Sequence, residues 1–390
     1  VRPAARLQAA IEILDLVIDA AEAQGAAADT LIQRYFSARR YAGSKDRAAV
    51  RDLAYAAIRH TAERPTSGRA ALLGLAESTH PELLPLFDGS AHAPLPPTPA
   101  EPRATASAIP AWLEPALKAR FGDRVEAEAE ALAARAPLDL RVAPGADPAE
   151  VARELGAEPI AGLPRALRLA TPQPLDRHPL LLSGAIEVQD AGSQHVAAFA
   201  GARPGETVID LCAGAGGKTL ALAADMAGSG RLIATDTDRG RLQAMAPRLA
   251  RTGLQLCENG GFVEARLLNP GHEAEALVDL MAAADLVLVD APCSGTGTWR
   301  RNPELRWRLT PDRLARLLAV QARLIDIAAS LLKPGGRLVY AVCSVLPAEG
   351  ADQAAAAATR TGLSLGPVQA LSPAADGCDG FFVARLEKPC

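Results

Sequence analysis

In Thr207-Val208-Ile209-Asp210-Leu211-Cys212-Ala213-Gly214-Ala215-Gly216-Gly217-Lys218-Thr219 a short apolar strand runs into a glycine-rich turn and then into a helix. The glycines let the backbone turn tightly, so that N–H groups at the start of the following helix face a ligand. Gly217-Lys218-Thr219 looks like the end of a P-loop, but that motif needs glycine at position 212, where this chain has Cys212. Asp236 ends the next strand about 20 residues on, placed to accept hydrogen bonds from ribose hydroxyls. Taken alone the turn admits a dinucleotide or a sulfonium methyl donor, S-adenosylmethionine. The rest of the sheet has to separate them, because methyl transfer puts its acceptor groups after the fourth strand.

Outward from this turn, strands and helices alternate. Expected strands at 207–212, 231–236, 262–268, 285–290 and 337–343 are interleaved with expected helices at 218–227, 238–250, 272–283 and 311–332, which predicts a doubly wound parallel sheet. Extended stretches at 363–368 and 380–386 would add an edge hairpin. Upstream, strands at 138–142, 166–170 and 184–189 with a helix at 148–155 make a small α+β segment. The first third is helical. Leu7, Ile11, Leu14 and Ile18 share one face, and further helices are expected at 31–36, 48–60 (with Ser44 as its cap) and 70–76. Seven prolines between Pro81 and Arg103 mark a surface loop, after which helical signal resumes from Ile109 to about Arg135, broken near Gly122. The expected division is 1–137 helical, with the proline-rich loop at 81–103, then 138–197 α+β and 198–390 catalytic.

A chain of 390 residues with 49% apolar and 4% aromatic content is globular and long enough for two or three cores. It has no apolar run long enough to span a bilayer and no signal-peptide pattern, so a cytoplasmic location and no membrane partner are expected. The net charge of −4 argues for no polyanionic partner overall, yet Arg34, Arg39, Arg40, Lys45, Arg47, Arg51 and Arg59 face only Asp46 and Asp52, a local balance of +5 suited to a phosphate backbone. Six cysteines lack any Cys-x-x-Cys pair and six histidines form no ligand cluster, so no metal is expected.

Cys293, in Asp290-Ala291-Pro292-Cys293-Ser294-Gly295-Thr296-Gly297, and Cys343, in Tyr340-Ala341-Val342-Cys343-Ser344, follow two of the predicted strands on the side where open sheets bind ligands. Each thiol alone reads as a small core residue, and a redox pair is disfavoured by 50 residues of separation. Together, beside a cofactor turn, they point to thiolate chemistry. Carbon 5 of cytosine becomes nucleophilic once a thiolate adds to carbon 6, and the adduct then needs an acid near ring nitrogen 3 and a base for the carbon 5 proton. The two cysteines and Asp290 can divide these tasks.

Asp210-Leu-Cys-Ala-Gly-Ala-Gly-Gly-Lys-Thr219, Asp290-Ala-Pro-Cys-Ser-Gly-Thr-Gly-Thr298, Arg300-Arg301-Asn302-Pro303-Glu304, Tyr340-Ala-Val-Cys-Ser344 and Gly184-Ala-Ile-Glu-Val-Gln-Asp-Ala-Gly-Ser-Gln194 together resemble the RsmB/Nop/Sun (Fmu) family of RNA (cytosine-5) methyltransferases. The resemblance implies a Rossmann-like catalytic domain, a small RRM-like segment and an all-α, NusB-like RNA-binding domain at the N-terminus. That extension points to the RsmB branch, which acts on 16S ribosomal RNA. It further implies Cys343 as nucleophile and Cys293 as the residue that assists elimination and product release. Asp290 would contact both cofactor and cytosine, while Cys212, Ala213, Gly214, Ala215, Gly216, Gly217 and Lys218 bind S-adenosylmethionine, with Asp236 on its ribose. Two departures stand out: the family's usual proline in the turn is absent, and its acidic residue after the third strand has only Asn269 near its place.

Arg300, Arg301 and Arg306, interleaved with Trp299 and Trp307, read as phosphate contacts and stacking surfaces for an extruded base, and Arg39 and Arg40 as contacts of the helical domain. The expected partner is RNA, ribosomal before transfer RNA, for a monomeric enzyme. The competing readings are a non-catalytic ribosome-assembly factor, which has no need of both thiols, Asp290 and Lys218, and a nicotinamide dehydrogenase, for which no proton-relay histidine or tyrosine stands near the sheet's carboxyl edge.

Overall fold

The computed structural model describes residues 2–39, 41–171, 173–257 and 260–390; the expected RNA contact Arg40 lies outside them. The chain forms two compact units, one of residues 1–135 with Thr298–Pro311, the other of Ala136–Gly297 with Asp312–Cys390.

The first unit is built on helices Pro3–Glu22, Ala28–Ser37, Ser44–His60 and Gly68–Ser78. Leu7, Ile11, Leu14 and Ile18 are buried as their spacing requires, against Val50, Ala54, Ile58 and Leu72. Ser67 caps the fourth helix by accepting from Ala70 N at 3.0 Å. Ser44, expected as a cap, is instead the first helical residue; Gly43 holds the cap position without a side-chain bond. The proline-rich loop is pinned by Arg69 to Glu101 at 2.6 Å and by Arg103 to Glu77 at 2.8 Å. Helices Glu114–Phe121 and Val125–Ala133 complete the unit.

Thr298–Pro311, read from the sequence as phosphate contacts and stacking surfaces, is largely buried. Trp299, Arg300, Arg306 and Trp307 are all buried, and Arg301 is partly so. The Arg306 guanidinium, 2% exposed, donates to the carbonyls of Ile58 at 2.8 Å, Ala108 at 3.1 Å and Pro303 at 3.2 Å. Trp307 Nε1 donates to Thr61 O at 3.0 Å. Both therefore satisfy carbonyls at the C-terminus of helix Ser44–His60, where a cation is also favoured by the helix dipole. Burial lowers the Arg306 pKa to about 10, with Arg59 adding to the effect, so the group is still cationic at neutral pH. Glu304 serves the opposite end of a neighbouring helix, its Oε1 accepting from Ala28 N at 3.3 Å. Arg306, Trp307 and Glu304, in a segment whose composition suits RNA, thus serve helix ends.

In the second unit, β1 (Asp139–Val142), β2 (Ala157–Pro159), β3 (Ala166–Leu169) and β4 (Ile186–Val188) form an antiparallel sheet in the order β2-β3-β1-β4, with helices after β1 and β3. Leu140, Val142, Leu167, Leu169 and Ile186 pack on one face. The other face is polar and is covered within the same unit: Arg168 holds Asp139 and donates to Gly377 O at 2.9 Å, while Glu187 takes Arg248 at 2.9 Å and Arg251 at 3.0 Å. The main sheet contains β5 (Thr207–Asp210), β6 (Arg231–Asp236), β7 (Leu256–Cys257), β8 (Val263–Leu267), β9 (Ala284–Asp290), β10 (Leu332–Val342), β11 (Ser364–Leu371) and β12 (Phe381–Glu387). Their order is β11-β12-β10-β9-β5-β6-β8-β7, parallel except for β12, which runs antiparallel to both β10 and β11. Alternation along the strands sends Val208, Leu232, Leu286 and Val339 to one core and Ile209, Ile233, Val287 and Leu338 to the other. β5 pairs with both β6 and β9, so strand order reverses there, where α/β sheets place their ligands.

β2, β7 and helix Ala351–Thr361 were not anticipated, and the helix expected at 272–283 is a 3₁₀ segment, Glu273–Leu280. Lys333-Pro334-Gly335-Gly336, a sequence suited to a turn between helix and strand, falls within β10, whose pairing with β9 shifts between Leu332 and Arg337. Among the described residues no helix is long and apolar enough to cross a membrane.

Trp307→Ala should cost about 3–5 kcal/mol in urea unfolding of the full chain, the usual loss for deleting a buried tryptophan. An unchanged midpoint would contradict the anchoring role of Thr298–Pro311.

Candidate active site

The site grows from the carboxyl ends of β5, β9 and β10. At β5 the chain leaves Asp210 and passes through the glycine turn into helix Gly217–Asp225. Gly216 sits at φ +84°, and a Cβ there would stand 2.4 Å from Met245, so both conformation and space require glycine. The turn is braced by Gly214 N donating to Asp236 Oδ2 at 2.9 Å and by Arg248 donating to Ala215 O at 2.6 Å. Gln189, from the 184–194 motif, adds a bond to Gly217 O at 3.3 Å. Asp236 Oδ1 accepts from Asp238 N at 2.8 Å.

Lys218 Nζ lies 2.7 Å from Asp290 Oδ2, joining the turn to the end of β9. Burial opposes the Lys218 charge, but Asp290 outweighs it and the pKa is raised. Asp210 lies wholly buried below this pair, its Oδ2 accepting from Thr219 Oγ1 at 2.7 Å. Burial pushes its pKa up to about 7, the Asp290 charge adding to the shift and the Thr219 bond opposing it. Cys212 is also raised, by burial first, as befits a packing thiol.

The loop after β9 and the end of β10 bring Cys293 Sγ and Cys343 Sγ to 3.3 Å, both thiols free and partly buried. The hydrogen bond with Cys343 raises the Cys293 pKa, and burial adds to it. Gly297 N donates to Cys343 O at 3.1 Å, and Gly380 N to Gly297 O at 2.8 Å. A Cβ on Gly297 would fall 1.9 Å from Gly380 O, so only glycine allows the loop to lie this close to the start of β12.

Residues not singled out in the sequence lie beneath the pair. Glu349, fully buried, accepts from Ser294 N at 2.8 Å, Gln321 Nε2 at 3.0 Å, Ser344 Oγ at 2.6 Å and Ser294 Oγ. Thr296 Oγ1 bonds Ser344 Oγ at 3.0 Å and receives Val345 N at 3.0 Å. Ser294, Thr296 and Ser344 are legible only as neighbours of the cysteines. Glu349, on the connection after β10, carries no signal of its own.

Cys293, Cys343, Asp290, Lys218, the 212–218 turn and Asp236 therefore all belong to the second unit, whereas Arg39, Arg300 and Arg301 belong to the first. Asn269 is exposed after β8. Among the described residues no group of histidine, cysteine and acidic side chains is arranged to hold a metal.

Residues 198–387 match the family model described as 16S rRNA methyltransferase RsmB/F. The chain is 37% identical over 233 residues to ribosomal RNA small subunit methyltransferase B of Salmonella paratyphi B, an alignment covering 58% of this chain and 52% of that protein; the relative from Salmonella heidelberg matches equally. The chain thus spans about half the length of these curated relatives. Among solved structures, a methyltransferase homologue from Pyrococcus horikoshii superposes with TM-score 0.60 at 26% identity, covering 70% of this chain and 93% of that one. The structure of PH0851 shares the fold at TM-score 0.75 and 24% identity over 100% of this chain and 99% of its own.

The Asp210 carboxyl binds its proton more tightly folded, at about 7, than in the unfolded chain, near 3.8. Its stabilising contribution is complete below that lower value and is lost as pH rises to about 7, by up to roughly 4 kcal/mol. Asp210→Asn should flatten this fall in a pH series of thermal unfolding; a slope matching that of the unsubstituted protein would refute the assignment.

Proposed function

We propose that the chain, whose residues 198–387 match the model of the 16S rRNA methyltransferase RsmB/F family, methylates carbon 5 of a cytosine in RNA, using S-adenosylmethionine. The preferred substrate is small-subunit ribosomal RNA, with transfer RNA as the alternative. The observation that carries the reading is the 3.3 Å contact of Cys293 with Cys343 in the same unit as the Lys218–Asp290 pair.

The residues around the turn suit the cofactor. A Cβ on Gly214 would meet nothing within 4 Å, so the turn opens onto space at that point. The Asp236 oxygens each have one backbone donor and a further lone pair for a ribose hydroxyl. Lys218 and Asp290 offer one cation and one anion to a zwitterionic ligand. When bound, S-adenosylmethionine supplies a methyl group on an electrophilic sulfonium.

The protein's part is to make carbon 5 of the base nucleophilic. The Cys343 sulfur adds to carbon 6 of the ring, and Asp290, beside Lys218, stabilises the base at nitrogen 3 during addition. With the donor bound, carbon 5 would take the methyl group, the electron pair of the broken bond staying on the donor's sulfur; the carbon 5 proton then passes to a base, the bond from carbon 6 to Cys343 breaks with its electron pair returning to that sulfur, and the ring regains aromaticity. Cys293, 3.3 Å from the sulfur that leaves, is placed to assist this elimination and the release of product.

RNA contact falls to the helical unit, which we read as NusB-like. Arg34, Lys45 and Arg51 are exposed there, while Arg39 stacks on Tyr35 at 3.6 Å and reaches Glu12 at 3.3 Å. The exposed cations are the better candidates for phosphate contacts.

Cys343→Ala should abolish methyl transfer and leave cofactor affinity nearly unchanged by calorimetry. Retained turnover would remove Cys343 as nucleophile. Cys293→Ala should accumulate protein covalently linked to RNA on a denaturing gel, because addition proceeds and elimination stalls; absence of the linked species would contradict the division of roles.

A further inference from the structure

Glu349 touches neither sulfur, yet it holds the residue that follows each of them. Its carboxylate takes two bonds from Ser294, through the backbone N–H and the hydroxyl, and one from the Ser344 hydroxyl. Gln321 completes the set and also donates to Pro292 O at 3.0 Å, so the residue before Cys293 is tied in as well. Ser294 and Ser344 are themselves 3.3 Å apart, the same separation as the two sulfurs. Four donors converge on the two oxygens, the complement of an ionised carboxylate, and among the described residues no lysine or arginine pairs with it.

A buried carboxylate without a cation is an expensive way to close a loop, since an apolar contact would serve at lower desolvation cost. It does have an advantage in reach and direction. Short charge-assisted bonds fix two separate backbone segments to one point, which packing of apolar groups does with less precision. The Tyr340 hydroxyl donates to Glu349 O at 2.6 Å, anchoring that point to β10 itself. The other charged groups near the pair are Lys218 and Asp290, which neutralise each other.

We propose that Glu349 is a positioning residue that fixes the spacing of Cys293 and Cys343 by holding Ser294 and Ser344 on a single buried carboxylate. The inference concerns the geometry of the pair, and only its kinetic consequence rests on the function proposed above. Glu349→Gln preserves shape and hydrogen bonding, because the amide oxygen still accepts from Ser294 N and Gln321, and the amide nitrogen donates to hydroxyls that can accept. Glu349→Ala removes the clamp.

The spacing is read by oxidising the full-length protein with diamide and mapping the Cys293–Cys343 crosslink by mass spectrometry. In that reaction the two thiols lose two protons and two electrons, forming one S–S bond, and diamide is reduced to its hydrazine. Crosslinking should be fast in the unsubstituted protein, within about tenfold of it in Glu349→Gln, and about 100-fold slower in Glu349→Ala. With a synthetic RNA substrate, kcat should follow the same order while KM for the methyl donor stays constant. Crosslinking of Glu349→Ala at the original rate overturns the proposal. Should that variant fail to fold by circular dichroism, Ser344→Ala removes one tie alone and should slow crosslinking about tenfold, and an unaltered rate there overturns it equally. Neither crosslinking measurement involves RNA or methyl donor, so an inactive but rapidly crosslinking protein would count against the proposed function and not against the clamp.

Discussion

Parallel pairing of β9 with β10, with Asp290 opposite Ala341, is the constraint on which the site depends. It ends the two strands side by side, so that the chain leaving each one carries a cysteine into the same space. β5, paired to the other edge of β9, delivers the glycine turn and Lys218 to that edge. A one-residue slip between β9 and β10 would send each side chain of the slipped strand to the opposite face and separate the sulfurs. Leu286 and Leu288 pack in one core and Val287 and Val289 in the other, so a slip would also exchange side chains of different size between two packed cores.

Charge in this region is handled by pairing in one place and by hydrogen bonding in another. Lys218 and Asp290 neutralise each other, and Asp210, buried beneath them, has its pKa raised to about 7. Among the described residues no cation pairs with Glu349, which relies on hydroxyl and amide donors. The Cys293 thiol is pushed up by its hydrogen bond with Cys343 first, then by burial and by the charges of Cys343 and Glu349.

Much of this was legible in the sequence, for reasons that differ by element. The glycine turn announced itself because its backbone conformation tolerates few residues, and the sheet did so through apolar strands at regular spacing. The cysteines were visible because each follows such a strand. Glu349 was not, since a lone acid on a connection gives no hint that it will be buried, and its donors lie at positions 294, 321 and 344. Thr298–Pro311 was misread for a related reason. Arginine and tryptophan suit RNA and suit helix caps equally, and only the carbonyls of Ile58, Ala108 and Thr61 decide between them. Ser44 failed as a cap because Gly43 already supplies the extended backbone that precedes the helix.

The central claim is that Cys343, and not its neighbour 3.3 Å away, attacks the base. A 5-fluorocytidine-substituted RNA tests it most directly, because fluorine at carbon 5 blocks elimination and leaves the attacking sulfur attached. Peptide mapping of the trapped complex should find the nucleotide on Cys343. Attachment at Cys293, or no covalent complex with an RNA that the protein methylates in its unsubstituted form, would contradict the account.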